Sequence, residues 1–139
     1  MGRYAEADIV IKAAAVADYR PKYAALQKVK KQQGDAQIEL ERTPDILATL
    51  GAQKSHQLLI GFAAETNDIE TYALEKLQRK NADYIIANDV SKTDRGFGAG
   101  SNTVTLYGHD FTQQFPSTAK HALATQLLET IIVQSGVAK

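Results

Sequence analysis

The sequence predicts an α/β fold: one sheet with parallel strands at its centre, helices between them, and a hairpin at one edge. Three observations predict it. Apolar, partly β-branched runs recur at 8–16, 58–64 and 83–87 without polar alternation, as in strands covered on both faces. Segments of helical spacing separate or follow them. Near the end, 103–107 and 111–115 flank Gly108-His109-Asp110, which reads as a hairpin turn.

The elements follow in order. The run at 8–16 (Asp8-Ile9-Val10-Ile11 on to Val16) predicts a buried strand close to the start of the chain. Residues 17–31 are polar, basic and irregular. At 36–42, Ile38 and Leu40 alternate with Gln37, Glu39 and Glu41, which predicts a half-exposed strand. Thr43-Pro44-Asp45 is a helix start, with a capping hydroxyl, proline at the first helical position and an acid in the first turn. Ile46, Leu47 and Leu50 give that short helix its apolar side. Asn67 with Glu70 is a capping-box-like pair that opens a helix to about Lys80. Residues 88–102 form a long polar, glycine-containing loop. Ser117 or Thr118 is expected to cap a closing helix that ends near Val133.

Composition narrows the function. The chain has 139 residues, one domain's worth, and no cysteine, which removes disulfide scaffolds, zinc ribbons, iron–sulfur sites and thiol nucleophiles. Sixteen basic residues balance sixteen acidic ones, which argues against a nucleic-acid partner. No apolar run has the length of a membrane span, and the first residues lack the apolar core of a signal peptide, so a cytoplasmic protein is expected. There is no internal repeat. His56, His109 and His121 show no metal-ligand spacing. Gly96-Phe97-Gly98-Ala99-Gly100 follows a long loop and precedes a strand, so it is not a dinucleotide fingerprint.

In a sheet of this kind ligands sit beyond the carboxyl ends of the strands, where 16–31, 64–68 and 88–102 are expected to converge. Arg20, Lys22, Lys28, Lys30 and Lys31 place five cations in twelve residues, with no acid between Asp18 and Asp35. Two readings stand: a solvated basic loop, or an anion site for phosphate. Asp18 is either a turn residue or a contact to Mg2+ or a nucleotide; a nucleotide magnesium site needs only one or two protein carboxylates. At about 100° per residue, Ile69, Ala73 and Leu77 define the buried stripe of the second helix, and Lys76 and Lys80 fall in line with it while Glu75, Gln78 and Arg79 lie on the other side. The two lysines either snorkel at the end of the stripe or converge on an anion. Phe62 is either core or the wall of a nucleotide pocket.

Six motifs in order resemble phosphopantothenoylcysteine synthetase, the amide-forming ligase of coenzyme A biosynthesis. They are Ala14-Ala15-Val16-Ala17-Asp18-Tyr19-Arg20-Pro21, Lys28-Val29-Lys30-Lys31, Thr43-Pro44-Asp45-Ile46, Gly61-Phe62-Ala63-Ala64-Glu65-Thr66, Arg79-Lys80-Asn81-Ala82-Asp83 and Ala87-Asn88-Asp89-Val90. Their order and spacing fit over nearly the whole chain. The resemblance implies a Rossmann-like three-layer α/β/α sandwich, mostly parallel with an edge hairpin. It implies joining of 4′-phosphopantothenate to cysteine with CTP and Mg2+: the substrate carboxylate attacks the α-phosphate, pyrophosphate leaves, and the cysteine amine displaces CMP from the acyl-cytidylate.

Carried over, the backbone at Ala13, Ala14 and Ala15 would recognise cytosine. Asp18 would contact the nucleotide and its metal. Lys28, catalytic, would act on the acyl-cytidylate and its phosphate. Pro44, Asp45, Ile46, Leu47 and Phe62 would line the nucleotide site, and Lys76 and Lys80 would hold the triphosphate. The resemblance also implies a homodimer, no flavin on this segment, and a fused or separate flavin-dependent decarboxylase. The family's preceding glycine-rich turn and Asn/Ser/Gly-rich motif have no counterpart here. The expectation is therefore the C-terminal part of the synthetase domain, lacking its N-terminal strands, with nucleotide binding and dimerisation but no turnover as the alternative.

Overall fold

The computed structural model describes residues 2–25, 27–28, 37–89 and 104–137. Among the described residues there are seven strands, in two sheets, and three α-helices. The main sheet contains β1 (Ile9–Lys12), β4 (Leu58–Glu65), β5 (Tyr84–Asp89), β6 (Val104–Gly108) and β7 (Phe111–Phe115), in that order. β1, β4 and β5 are parallel; β6 and β7 close the edge antiparallel. β2 (Tyr19–Pro21) and β3 (Leu40–Arg42) form a separate antiparallel ribbon.

The central strands explain their own sequence. β4 and β5 each have neighbours on both sides, so alternate residues enter two different cores. Leu59, Ala63, Ile85 and Ala87 pack against α1 (Ile46–Ala52) and α2 (Ile69–Arg79), which supply Leu47, Leu50, Ala73 and Leu77. Ile60, Tyr84 and Ile86 face the other way, onto Leu127 and Ile131 of α3 (Lys120–Ser135). Helices thus cover both faces of the sheet, as the Rossmann-like expectation requires. Gly61 permits the close seating of α1: a Cβ there would lie 2.7 Å from Cδ2 of Leu47. Among the described residues no helix is long and apolar enough to cross a membrane.

Several local expectations are corrected. β1 is shorter than the apolar run that predicted it, and only half-buried, with Ile11 44% exposed. Among the described residues it pairs only with β4, as an edge strand does, and 13–18 continue without a ladder. Among the described residues of the 36–42 segment only Leu40–Arg42 are strand, and the apolar side faces outward: Ile38 is 70% and Leu40 55% exposed. That ribbon pairs with β2 and stands off the main sheet, so alternation there has no core behind it.

The caps also differ. Asp45, not Thr43, caps α1, its Oδ1 accepting from the Ala48 amide at 2.9 Å. Thr43 Oγ1 instead donates to the carbonyl of Ala17 at 2.6 Å, tying the ribbon to the segment after β1. The N-cap of α2 is Asp68, in the left-handed region at φ 46°, with no side-chain cap bond. α3 starts after Ala119, so neither Ser117 nor Thr118 caps it, and it ends at Ser135 before Gly136. The hairpin falls where expected, with His109 and Asp110 at its turn. Lys30, Lys31 and 90–103, including the Gly96 to Gly100 motif, lie outside the described residues.

Candidate functional site

A cavity of about 750 Å3 opens at the carboxyl ends of β1, β4 and β5, the position the topology predicts for a ligand. β1 and its continuation supply Lys12, Ala13, Ala14, Ala15 and Val16, followed by Asp18 and Tyr19. The ribbon and the start of α1 supply Arg42, Thr43, Pro44, Asp45, Ile46 and Leu47. Phe62, Ala63 and Ala64 come from β4, Asn88 from β5, and Lys76, Arg79 and Lys80 from the end of α2. Every residue that the family resemblance assigns to the site lines this space except Lys28, which is described, exposed and absent from the lining.

The basic segment divides. Arg20 and Lys22 do not line the cavity; they pair across the ribbon with Glu41 at 2.7 Å and Glu39 at 2.5 Å. Their register explains it, since Arg20 lies directly opposite Glu41, and opposite charges across a ladder attract. For these two the structure shows neither a solvated loop nor an anion site: Arg20 lies in β2, and both cations are held in exposed ion pairs. On the other face of the same ribbon Tyr19 and Arg42 are partners, and both line the cavity.

The end of α2 brings two lysines into the site, each with a hydrogen-bond partner. Ala73 and Leu77 are buried and Ile69 packs beside them, which swings Lys76 and Lys80 toward the strand ends. Lys76 Nζ donates to the carbonyl of Phe62 at 2.9 Å. Lys80 Nζ donates to Oδ2 of Asp45 at 2.5 Å. The bond from Lys80 holds the Asp45 carboxyl below its ordinary range, with the Ala48 amide and the nearby charges of Lys80 and Arg79 adding to the effect.

Lys12, Arg42, Arg79 and Asn88 were missed by sequence reasoning. Arg79 lies off the buried stripe of α2, yet at the end of α2 it shares the cavity wall with the start of α1. Arg42 and Lys12 are isolated cations in short strands, without a local pattern to mark them. Asn88 Oδ1 is shielded from solvent and has no hydrogen-bond partner among the described residues. A buried acceptor left unpaired is costly, and here it lies on a cavity wall.

The described lining carries five cations and two carboxylates in a chain of zero formal charge. One carboxylate, Asp45, is already paired. The arrangement suits a ligand with several negative charges. The Asp18 carboxylate makes no hydrogen bond or ion pair with another described residue. That carboxylate suits a magnesium ion whose other ligands would be phosphate oxygens and water. Among the described residues no three His, Cys, Asp or Glu side chains gather as a metal site.

Comparison with known proteins adds the following. Residues 1–134 match the model of the DNA/pantothenate metabolism flavoprotein C-terminal domain. The chain is 48% identical over 133 residues to the coenzyme A biosynthesis bifunctional protein CoaBC of Bacillus subtilis, covering 95% of this chain and 33% of that protein. Against CoaBC of Escherichia coli K12 it is 44% identical over 131 residues, covering 91% and 32%. It therefore spans about a third of the length of these relatives. The crystal structure of the C-terminal domain of CoaBC superposes with a TM-score of 0.76 at 44% identity, over 97% of this chain and 58% of that one. The DNA/pantothenate metabolism flavoprotein of Streptococcus pneumoniae, at 21% identity, shares the fold with a TM-score of 0.72, over 96% of this chain and 66% of that one.

Proposed function

The chain belongs to the DNA/pantothenate metabolism flavoprotein C-terminal domain family, and from that premise we propose that it is the CTP-handling part of a phosphopantothenate–cysteine ligase in coenzyme A biosynthesis. The observation that carries the reading is the convergence of Lys76 and Lys80 with Arg79 and Arg42 on a cavity at the carboxyl ends of the parallel strands.

The chemistry suits such a site. A carboxylate does not form an amide until it acquires a leaving group, and nucleotidyl transfer supplies one. The protein's work is then to hold two anionic substrates together and to neutralise charge on phosphate oxygens. Lys76 and Lys80 sit where they can hold a triphosphate and stabilise departing pyrophosphate. The exposed backbone at Ala13, Ala14 and Ala15 offers amide and carbonyl groups to cytosine. Phe62, in the second half of β4 and 39% exposed, offers an apolar wall, and Asn88 an open acceptor. Mg2+, held by Asp18 with the nucleotide, would screen phosphate charge. Lys28 takes its role on the acyl-cytidylate from the family resemblance alone. The homodimer and a linked decarboxylase belong to the same proposal.

Thermal-shift titration with CTP, ATP, GTP and UTP, each with Mg2+, tests the reading. Selective stabilisation by CTP is expected, because a ligand that binds the folded state raises the melting temperature. Equal shifts with all four, or none at millimolar CTP, would overturn it. A second reading, nucleotide binding without turnover, is favoured by the position of Lys28 outside the cavity. It predicts CTP binding without pyrophosphate release when 4′-phosphopantothenate and cysteine are added.

A further inference from the structure

We infer that Asp45 is a positioning residue for Lys80, acting on a bound polyphosphate through that ammonium group. The inference rests on the polyphosphate reading of the cavity. The two oxygens of Asp45 have separate partners. Oδ1 accepts from the Ala48 amide at 2.9 Å and starts α1, while Oδ2 accepts from Lys80 Nζ at 2.5 Å. The cap bond fixes the carboxylate, and the fixed carboxylate fixes the lysine. The Lys80 side chain is 12% exposed although its head group reaches the cavity.

The backbone of Lys80 is held by the same helix. Asn81 Nδ2 donates to the carbonyl of Gly51 at 2.8 Å, and Gly51 lies tightly against the Lys80 carbonyl. α1 therefore grips Lys80 at both ends. A lysine ordinarily loses much rotamer freedom when it takes a ligand; here that loss already occurs on folding, which favours binding. An ammonium has three donors. One goes to Asp45 and two remain for phosphate oxygens.

One effect opposes this. The Asp45 carboxylate repels an incoming phosphate. Its side chain is about half exposed, so salt screens the long-range repulsion, whereas the direct contact to Lys80, whose side chain is 12% exposed, is screened less. Positioning therefore dominates.

Calorimetric titration with CTP and with inorganic tripolyphosphate, at about 0.15 M salt and at several-fold higher salt, separates the possibilities. Asp45→Asn keeps a capping oxygen but removes the carboxylate. We expect it to weaken both ligands by about fivefold to tenfold, at both salt concentrations, with little change for CMP and in melting temperature. In a Lys80→Met background the same substitution is expected to cause no further loss. Asp45→Ser, which also caps, should reproduce the loss and serves if Asp45→Asn folds poorly. Unchanged or tighter binding in both variants, or an equal loss in the Lys80→Met background, overturns the inference. If the unsubstituted chain binds neither ligand, the polyphosphate reading fails, and this inference fails with it.

Discussion

Gly51 of α1 lies against the carbonyl oxygen of Lys80, so closely that a Cβ on Gly51 would fall 1.8 Å from it. No side chain fits that space, because the obstacle is backbone. The contact places the C-terminal end of α2, with its cations, beside the start of the cavity. Gly51→Ala must push the two helices apart. It is expected to destabilise the fold by about 1–3 kcal/mol, the usual cost of overpacking, and to weaken CTP binding through displacement of Lys80. Urea unfolding checks the first effect and calorimetry the second; unchanged stability would show that the contact is not tight.

Lys76 and Lys80 are expected to act on the phosphate chain of a nucleotide rather than on its base. Lys76→Met should weaken CTP about tenfold or more, the scale of one lost charge-assisted bond, and CMP much less. Competition binding with the two nucleotides checks it. Equal losses for both would move Lys76 away from the triphosphate.

The ribbon cations give the contrasting result. Arg20 is paired with Glu41 outside the cavity. Arg20→Ala should leave CTP affinity within about twofold and cost less than about 1 kcal/mol of stability, as exposed ion pairs do. A large loss of affinity would return Arg20 to the site.

The pH dependence has a definite sign. The carboxyl of Asp45 is held below its ordinary range by Lys80. The stabilisation this represents is complete above the ordinary aspartate value and is lost as pH falls through the lowered folded value. The stability difference between the unsubstituted chain and Asp45→Asn should therefore be flat near neutrality and shrink in acid. It should be small, under about 1 kcal/mol, because the group is half solvated. Denaturation midpoints measured down an acid series check it; a difference that grows in acid contradicts the assignment.

Burial distinguishes the strands. Ile85 of β5 is fully buried, while Ile11 of β1 is 44% exposed. Ile85→Ala should cost about 2–5 kcal/mol. Ile11→Ala should cost much less. Comparable losses would place β1 in the core rather than at an edge.

The sequence alone determined the parts of this protein that depend on near neighbours in the chain. Unbroken apolar runs marked β4 and β5. Helical spacing of Ile69, Ala73 and Leu77 marked α2 and put Lys76 and Lys80 in line with its buried stripe. Two short runs flanking Gly108-His109-Asp110 marked the hairpin. The order of six short motifs marked the family. Each is a local pattern, and periodicity records which side of an element is covered.

Tertiary structure decided what those patterns meet. Arg20 and Lys22 look like an anion site until the ribbon brings Glu41 and Glu39 across from them. Arg42, one register position from Glu41, faces the cavity instead. Thr43 and Asp45 are both good caps by residue type; packing gave Thr43 to Ala17 and left Asp45 to start α1 and hold Lys80. Arg79 joined the site because α1 lies alongside the end of α2. A charge is free, paired or aimed at a ligand according to groups many residues away, and no local periodicity carries that information.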